Sequence, residues 1–206
     1  MRFKEAFQKL WHLLWEDDSF KGWLFSILFI FVFIKFIFFP VLSLATGTSI
    51  PLAIVESCSM YHQGNILTNF DSWWQIHQGK YSEFNISKGD FEKFKIYNGF
   101  NKGDILFITG ANPEKIRVGD IIIFSIGFEG NPIIHRVVRI GDSSGEIVFS
   151  TMGDNNNGQL SAEKEISSSQ ILGKASLRMV PYAGWIKLIF YEPRKPFLER
   201  GLCNSN

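Results

Sequence analysis

The chain has 206 residues, with 21 Lys and Arg against 20 Asp and Glu for a formal net charge of +1. That length holds one domain plus an anchor, and the near-neutral balance excludes a global basic surface of the kind that binds nucleic acid. Two cysteines, Cys58 and Cys203, are too few for the disulfide framework of a small secreted scaffold, and they leave the redox compartment open.

Residues 1–21 form a charged N-terminal segment. From Gly22 to Leu44 the sequence is continuously apolar apart from Lys35, and its length matches the ~20 residues that cross a hydrocarbon core of ~30 Å. This predicts a single transmembrane helix in a lipid bilayer, with Lys35 snorkelling toward an interface and Pro40 kinking or ending the helix. Arg2, Lys4, Lys9 and Lys21 precede the span, whereas no Lys or Arg follows it before Lys80. The asymmetry predicts a cytoplasmic N-terminus in the cell membrane and an extracytoplasmic remainder. The alternative is a cleavable leader cut after Ser43-Leu44-Ala45. The apolar run is longer than the ~7–15 residues of a leader's core, and the acidic residues Glu5, Glu16, Asp17 and Asp18 precede it, so an uncleaved anchor is the better reading.

Beyond the span, Ser49–Val55 is a short apolar, β-branched run ending on Ser57-Cys58-Ser59. Residues 61–100 are rich in aromatic and polar residues, with Trp73-Trp74 and a charged, helix-compatible stretch over Ser87–Lys95. Strand patterns follow at Ile105–Thr109, Asp120–Ile126, Ile133–Ile140, Glu146–Thr151 and Ile171–Val180, each bounded by turn residues. Short strands at this spacing predict a mainly β domain over 45–192, a barrel or sandwich rather than βαβ units. Tyr182–Tyr191 is apolar but too short to span a helix's worth of membrane; its aromatics suit either a bilayer interface or a closing core element. Residues 193–206 complete the chain as a tail.

Three short phrases in this region carry chemistry: Ser57-Cys58-Ser59-Met60, Ile134-His135-Arg136-Val137 and Gly153-Asp154-Asn155-Asn156. A hydroxyl nucleophile needs a base, and the base needs an orienting carboxylate. A histidine, ordinarily with a pKa of about 6.5, can take a serine proton at neutral pH, whereas a lysine base must first be desolvated. If the Ser57–Ser59 segment is extended, Ser57 and Ser59 share a face and Cys58 points away. Of the other histidines, His12 precedes the span, and His62 and His77 fall within 61–100. Asp154 also has a purely structural reading, as a turn residue bonding nearby backbone. The histidines are scattered without metal-ligand spacing, so no metal or other cofactor is expected.

The same phrases, together with Lys102-Gly103-Asp104-Ile105-Leu106, Val118-Gly119-Asp120-Ile121-Ile122, Ile171-Leu172-Gly173-Lys174-Ala175 and Val180-Pro181-Tyr182-Ala183-Gly184, stand in an order that resembles the type I signal peptidases of the archaeal and endoplasmic-reticulum kind. The resemblance runs from about Ile54 to about Lys187. It implies a signal-peptidase-like β domain and a serine endopeptidase removing signal peptides from translocated preproteins through an acyl-enzyme on Ser59. In that reading His135 is the general base, Asp154 orients it, and Ser57 and Met60 serve the oxyanion hole or substrate. Partners implied are preprotein signal peptides, the bilayer and the protein translocation channel. Two departures stand out. Residues 61–100 replace what in relatives is a short turn, and a second acid found a few residues after Asp154 in relatives has no match in Asn157–Ser161, which leaves Glu163 and Asp142 as substitutes for Asp154. Other classes of function remain: a non-catalytic anchored β module binding exported chains, or a sortase-like transpeptidase pairing Cys58 with His135. Replacing Ser59 separates them.

Overall fold

The computed structural model describes residues 2–63, 70–127 and 131–203; residues 64–69 of the long intervening segment and 204–206 of the tail lie outside it. The chain divides into two compact units, Met1–Ala45 and Thr46–Asn206.

In the first unit, α1 (Arg2–Trp15) is followed by α2 (Phe20–Phe33), a π-helical stretch at Ile34–Phe38, and α3 (Phe39–Thr46). Ser19 caps α2 by accepting a bond from the Gly22 N–H. Gly22 is demanded by crowding, since a Cβ there would lie 2.5 Å from the Asp17 carbonyl oxygen. From Phe20 to Thr46 the chain is one continuous helix of 27 residues, long and apolar enough to cross a membrane. It therefore continues past Pro40 instead of stopping there. The π stretch sits directly ahead of the proline, where the missing N–H and the ring's clash with the carbonyl four residues back interrupt the α ladder.

The second unit is built on a seven-stranded antiparallel sheet. Its strands are β1 (Leu52–Ile54), β2 (Ile105–Thr109), β3 (Ile121–Phe124), β4 (Ile133–Ser143), β5 (Glu146–Met152), β6 (Ile166–Ser167) and β7 (Ile171–Val180). Their spatial order is β1-β2-β7-β3-β4-β5-β6. The five strands read from sequence are present, with β3 shorter at both ends. Because side chains alternate across a strand, Ile121 and Ile123 enter one core with Leu106, Ile108 and Ala175, while Ile122 and Phe124 enter another with Ile116, Val137 and Phe149. The sheet is thus buried on both faces at β3, which explains why that strand reads as a continuous apolar run.

Residues 70–100 form their own layer, with helices α4 (Phe70–Ser82) and α5 (Lys88–Phe91). Ser87 and Asp90 make a reciprocal capping box at the start of α5. Phe91 is fully buried, with the rings of Trp73, Trp74, Tyr81 and Phe94 at 5.4, 5.3, 4.9 and 5.3 Å from it. Val138 and Met152 of the sheet close the same cluster. Trp73 and Trp74 are only 2% and 6% exposed, so the tryptophan pair forms the interior of this layer.

The final short helix, α6 (Trp185–Leu188), divides the roles that the sequence left open for its stretch. Leu188 is buried and the Trp185 indole donates to the Lys102 carbonyl, whereas Ile186, Ile189 and Phe190 are exposed. Beyond it the chain returns to the domain. The nearly inaccessible Lys102 ammonium donates to Glu192 Oε2 and the Glu199 carbonyl, each at 2.7 Å, and Cys203 forms a disulfide with Cys58. Phe91→Ala should lower the unfolding free energy by about 3–5 kcal/mol, the usual cost of emptying a large aromatic site; denaturant unfolding of the full chain in detergent, followed by tryptophan fluorescence, measures it.

Candidate active site

The Ser57–Met60 segment follows β1 and is a turn, with the Tyr61 N–H bonded to the Cys58 carbonyl. It is not the extended segment expected. Ser57 Oγ and Ser59 Oγ nevertheless lie 3.1 Å apart. Met60 is 1% exposed and packs with Val55, Phe100 and Leu106, so it anchors the turn in the core and cannot meet a substrate, contrary to the place expected for it.

Strand β4 carries His135 and Arg136 on opposite faces, as alternation requires. His135 Nε2 is 2.8 Å from Ser59 Oγ. Its Nδ1 meets Oε1 of Glu163, in the single helical turn Ser161–Glu163. Glu163 is fully buried and held in place: Thr151 Oγ1 donates to Oε1 at 3.1 Å, and the Leu160 N–H donates to Oε2 at 2.8 Å. An ionised carboxylate only accepts, so Nδ1 carries the ring proton and Nε2 is free to accept from the Ser59 hydroxyl. Ser59, His135 and Glu163 therefore form one hydrogen-bonded chain.

Asp154 stands elsewhere. Its Oδ1 accepts from Arg136 Nε at 2.9 Å and Tyr81 Oη at 2.8 Å; its Oδ2 accepts from Arg136 Nη2 at 2.6 Å and His62 Nε2 at 2.9 Å. The structure does not bring it to His135. The carboxylate that meets the histidine is Glu163, because Asp154 lies on the Arg136 side of the strand. Asp142, the other substitute, sits at the exposed far end of β4. Burial alone would raise the Asp154 pKa, but the Arg136 guanidinium and the bonds from His62 and Arg136 outweigh it and hold the group well below the usual carboxylate range. Burial pushes the His62 pKa down, with Asp154 only partly opposing, so a neutral imidazole donates through Nε2. Burial likewise lowers the Lys80 ammonium to about 8. Sequence reasoning had no signal for Tyr81 or Lys80 and saw His62 only as one of the histidines beside His135, since all three belong to a stretch whose path could not be read; Arg136 was visible only as the neighbour of His135.

The backbone of Gly153–Asn156 crosses the Ser57–Met60 turn. The Asn155 N–H donates to the Ser59 carbonyl at 2.7 Å, and Asn155 Nδ2 donates to the Cys58 carbonyl at 3.1 Å. Gly153 is required there, since a Cβ would stand 2.8 Å from the Ser59 carbonyl oxygen.

Similarity to known proteins follows the motifs. The signal peptidase complex catalytic subunit SEC11C of Homo sapiens is 34% identical over 100 residues, 44% of this chain and 50% of that protein. The catalytic subunits SEC11 of Colletotrichum graminicola and Lachancea thermotolerans are 30% and 34% identical over 99 and 97 residues, 45% and 43% of this chain and 57% and 56% of theirs. Over these stretches the chain is similar to the catalytic subunits. It matches about half their length. No protein-family model matches it. These homologues are mammalian and fungal proteins of the signal peptidase complex, and the mainly β sheet preceded by one long apolar helix is the architecture that the resemblance implied.

The shifted groups set a pH dependence of stability. His62 has a lowered folded pKa, so its contribution is intact above the ordinary histidine value of about 6.5 and is lost as pH falls below it, when the unfolded chain takes the proton first. His77 is shifted the same way by burial. Asp154, depressed in the fold, contributes above the ordinary carboxylate range and loses that contribution at more acid pH. The unfolding free energy should therefore fall between pH 7 and pH 5, and His62→Phe should flatten that fall when unfolding is followed across the range.

Proposed function

We propose that the protein is a membrane-anchored serine endopeptidase that removes signal peptides from translocated preproteins. The observation that carries this reading is the chain from Ser59 Oγ through His135 to the buried Glu163, in a homologue of signal peptidase catalytic subunits. Ser59 Oγ attacks the scissile carbonyl while His135 Nε2 takes its proton, and Glu163 stabilises the imidazolium that results. The Ser59 backbone N–H and the adjacent Ser57 hydroxyl donate to the oxyanion. His135 then protonates the leaving amine, and water, activated by the same nitrogen, hydrolyses the acyl-enzyme. Asp154 holds the site together from outside this chain of atoms.

The substrate enters extended. Strand β1 is at the edge of the sheet and leads directly into the Ser57–Ser59 turn, which suits an added peptide strand whose main chain pairs with the edge. The Cys58–Cys203 disulfide supports an oxidising, extracytoplasmic location for the domain, as does the positive charge preceding the span. The exposed Ile186, Ile189 and Phe190 beside Lys187 suit contact with a bilayer, and an anchored enzyme at that surface stands where preproteins leave the translocation channel. A cysteine transpeptidase is disfavoured because Cys58 Sγ is bonded to Cys203; a non-catalytic binding module would have no use for the Ser59 hydroxyl.

Ser59→Ala should abolish preprotein cleavage by membranes containing the protein, and near wild-type cleavage by that variant would overturn the proposal. Glu163→Gln should lower kcat by roughly 10²–10⁴-fold, since the amide no longer supports the charged imidazole in its required tautomer, whereas Asp142→Asn should leave it unchanged; kinetics on a soluble signal-peptide substrate compare them.

A further inference from the structure

We infer that the 61–100 segment is a positioning device for the nucleophile, with His62 and Tyr81 as positioning residues acting through Asp154. The inference rests on the Ser59–His135–Glu163 reading and adds to it a role for residues that touch none of the reacting atoms.

Asp154 joins three parts of the chain at one carboxylate. Two of its four side-chain bonds come from Arg136, the residue beside the base, and two from the segment itself, through His62 and Tyr81. On the backbone side the Asp154 N–H reaches Met60 Sδ at 3.4 Å, and the next residue's N–H holds the Ser59 carbonyl at 2.7 Å. Lys80, again from the segment, donates to the carbonyls of Asp154 at 2.6 Å and Asn156 at 2.7 Å. One rigid loop therefore has the nucleophile turn on one side, and the segment's donors on the other. The donors are themselves immobilised: the His62 ring stacks on Trp73 at 3.7 Å, Tyr81 is fully buried against Phe91 and Trp74, and the Arg136 guanidinium lies 4.8 Å above the Phe91 ring.

The consequence is mechanical. The 2.8 Å approach of His135 to Ser59 is a distance between β4 and the turn, and both are referred to Asp154, β4 through Arg136 and the turn through Asn155. Removing the segment's donors leaves Asp154 paired with Arg136 but frees the loop to shift, and a displacement of ~1 Å at a reacting pair costs up to about a hundredfold in rate. Binding of an extended peptide along β1 involves none of these groups, so the loss belongs to kcat.

The test is steady-state cleavage of a soluble signal-peptide substrate by the full chain in detergent, with thermal unfolding measured on the same samples. Tyr81→Phe keeps the ring in its core and removes only the hydroxyl. It should lower kcat about tenfold with KM within about twofold. His62→Ala should do the same or more, and His62→Gln, whose amide N–H can still reach Asp154, should recover part of the loss. If Tyr81→Phe and both His62 variants retain wild-type kcat per folded molecule and lose only thermal stability, or change KM alone, the inference is overturned and the segment is a stabilising layer. Ser59→Ala runs alongside: its inactivity with neutral Tyr81→Phe and His62 variants removes this inference alone, whereas cleavage by Ser59→Ala removes the serine-peptidase reading and this inference with it.

Discussion

The buried pair of Arg136 and Asp154 is the constraint on which the rest of the second unit depends. Both side chains are fully inaccessible, and taking two charges out of water costs several kcal/mol each unless geometry and further hydrogen bonds offset it. Here they do. The guanidinium meets the carboxylate through Nε and Nη2, His62 and Tyr81 complete the carboxylate, and the carbonyls of Lys95, Ile96 and Gly119 take the remaining guanidinium donors. A pair so enclosed is costly to break from either side, so the four chain segments that supply its partners are held in one arrangement.

That arrangement separates structure from chemistry by the pleat of a single strand. His135 and Arg136 are neighbours in sequence, yet β4 sends one toward Glu163 and Ser59 and the other toward Asp154. Two carboxylates thus serve adjacent residues in different capacities. The Arg136–Asp154 network is buried and hydrogen-bonded throughout, while the imidazole keeps one nitrogen on Glu163 and the other on the hydroxyl. One carboxylate could not meet both His135 and Arg136, because alternation along β4 turns their side chains to opposite faces.

The Ser57–Met60 turn is held from the opposite side as well. Its Cys58 is joined to Cys203, Lys195 donates to the Glu56 carbonyl, and Lys102 gathers the returning tail through Glu192 and Glu199. A turn is the least self-sufficient element on which to carry a reactive group, since few of its backbone bonds are internal. Clamps from Asn155, the core side chain Met60 and the tail replace the regularity that a helix or strand would have supplied.

Much of this was legible in the residues themselves. An apolar run that long, with its charges on one side, dictates a helix of membrane length whatever the rest of the chain does, and alternation with turn residues at fixed places dictates strands such as Ile105–Thr109 and Ile171–Val180 at their observed bounds. Ser59 and His135 could be singled out by the wording around them. What the sequence could not hold is which side of the sheet a loop residue reaches. Asp154 and Glu163 are both acids shortly after β5, and only the pleat of β4 and the path of Leu160–Glu163 bring the second to the imidazole and the first to Arg136. The same limit hid the meaning of 61–100: its tryptophans are equally apt for a membrane surface and for an interior, and burial is decided by which surface is offered to them, here Phe91, Val138 and Met152. Composition and periodicity are local properties of the chain, whereas the choice of partner for a buried charge or an aromatic ring is made by whatever the fold brings within a few ångströms of it.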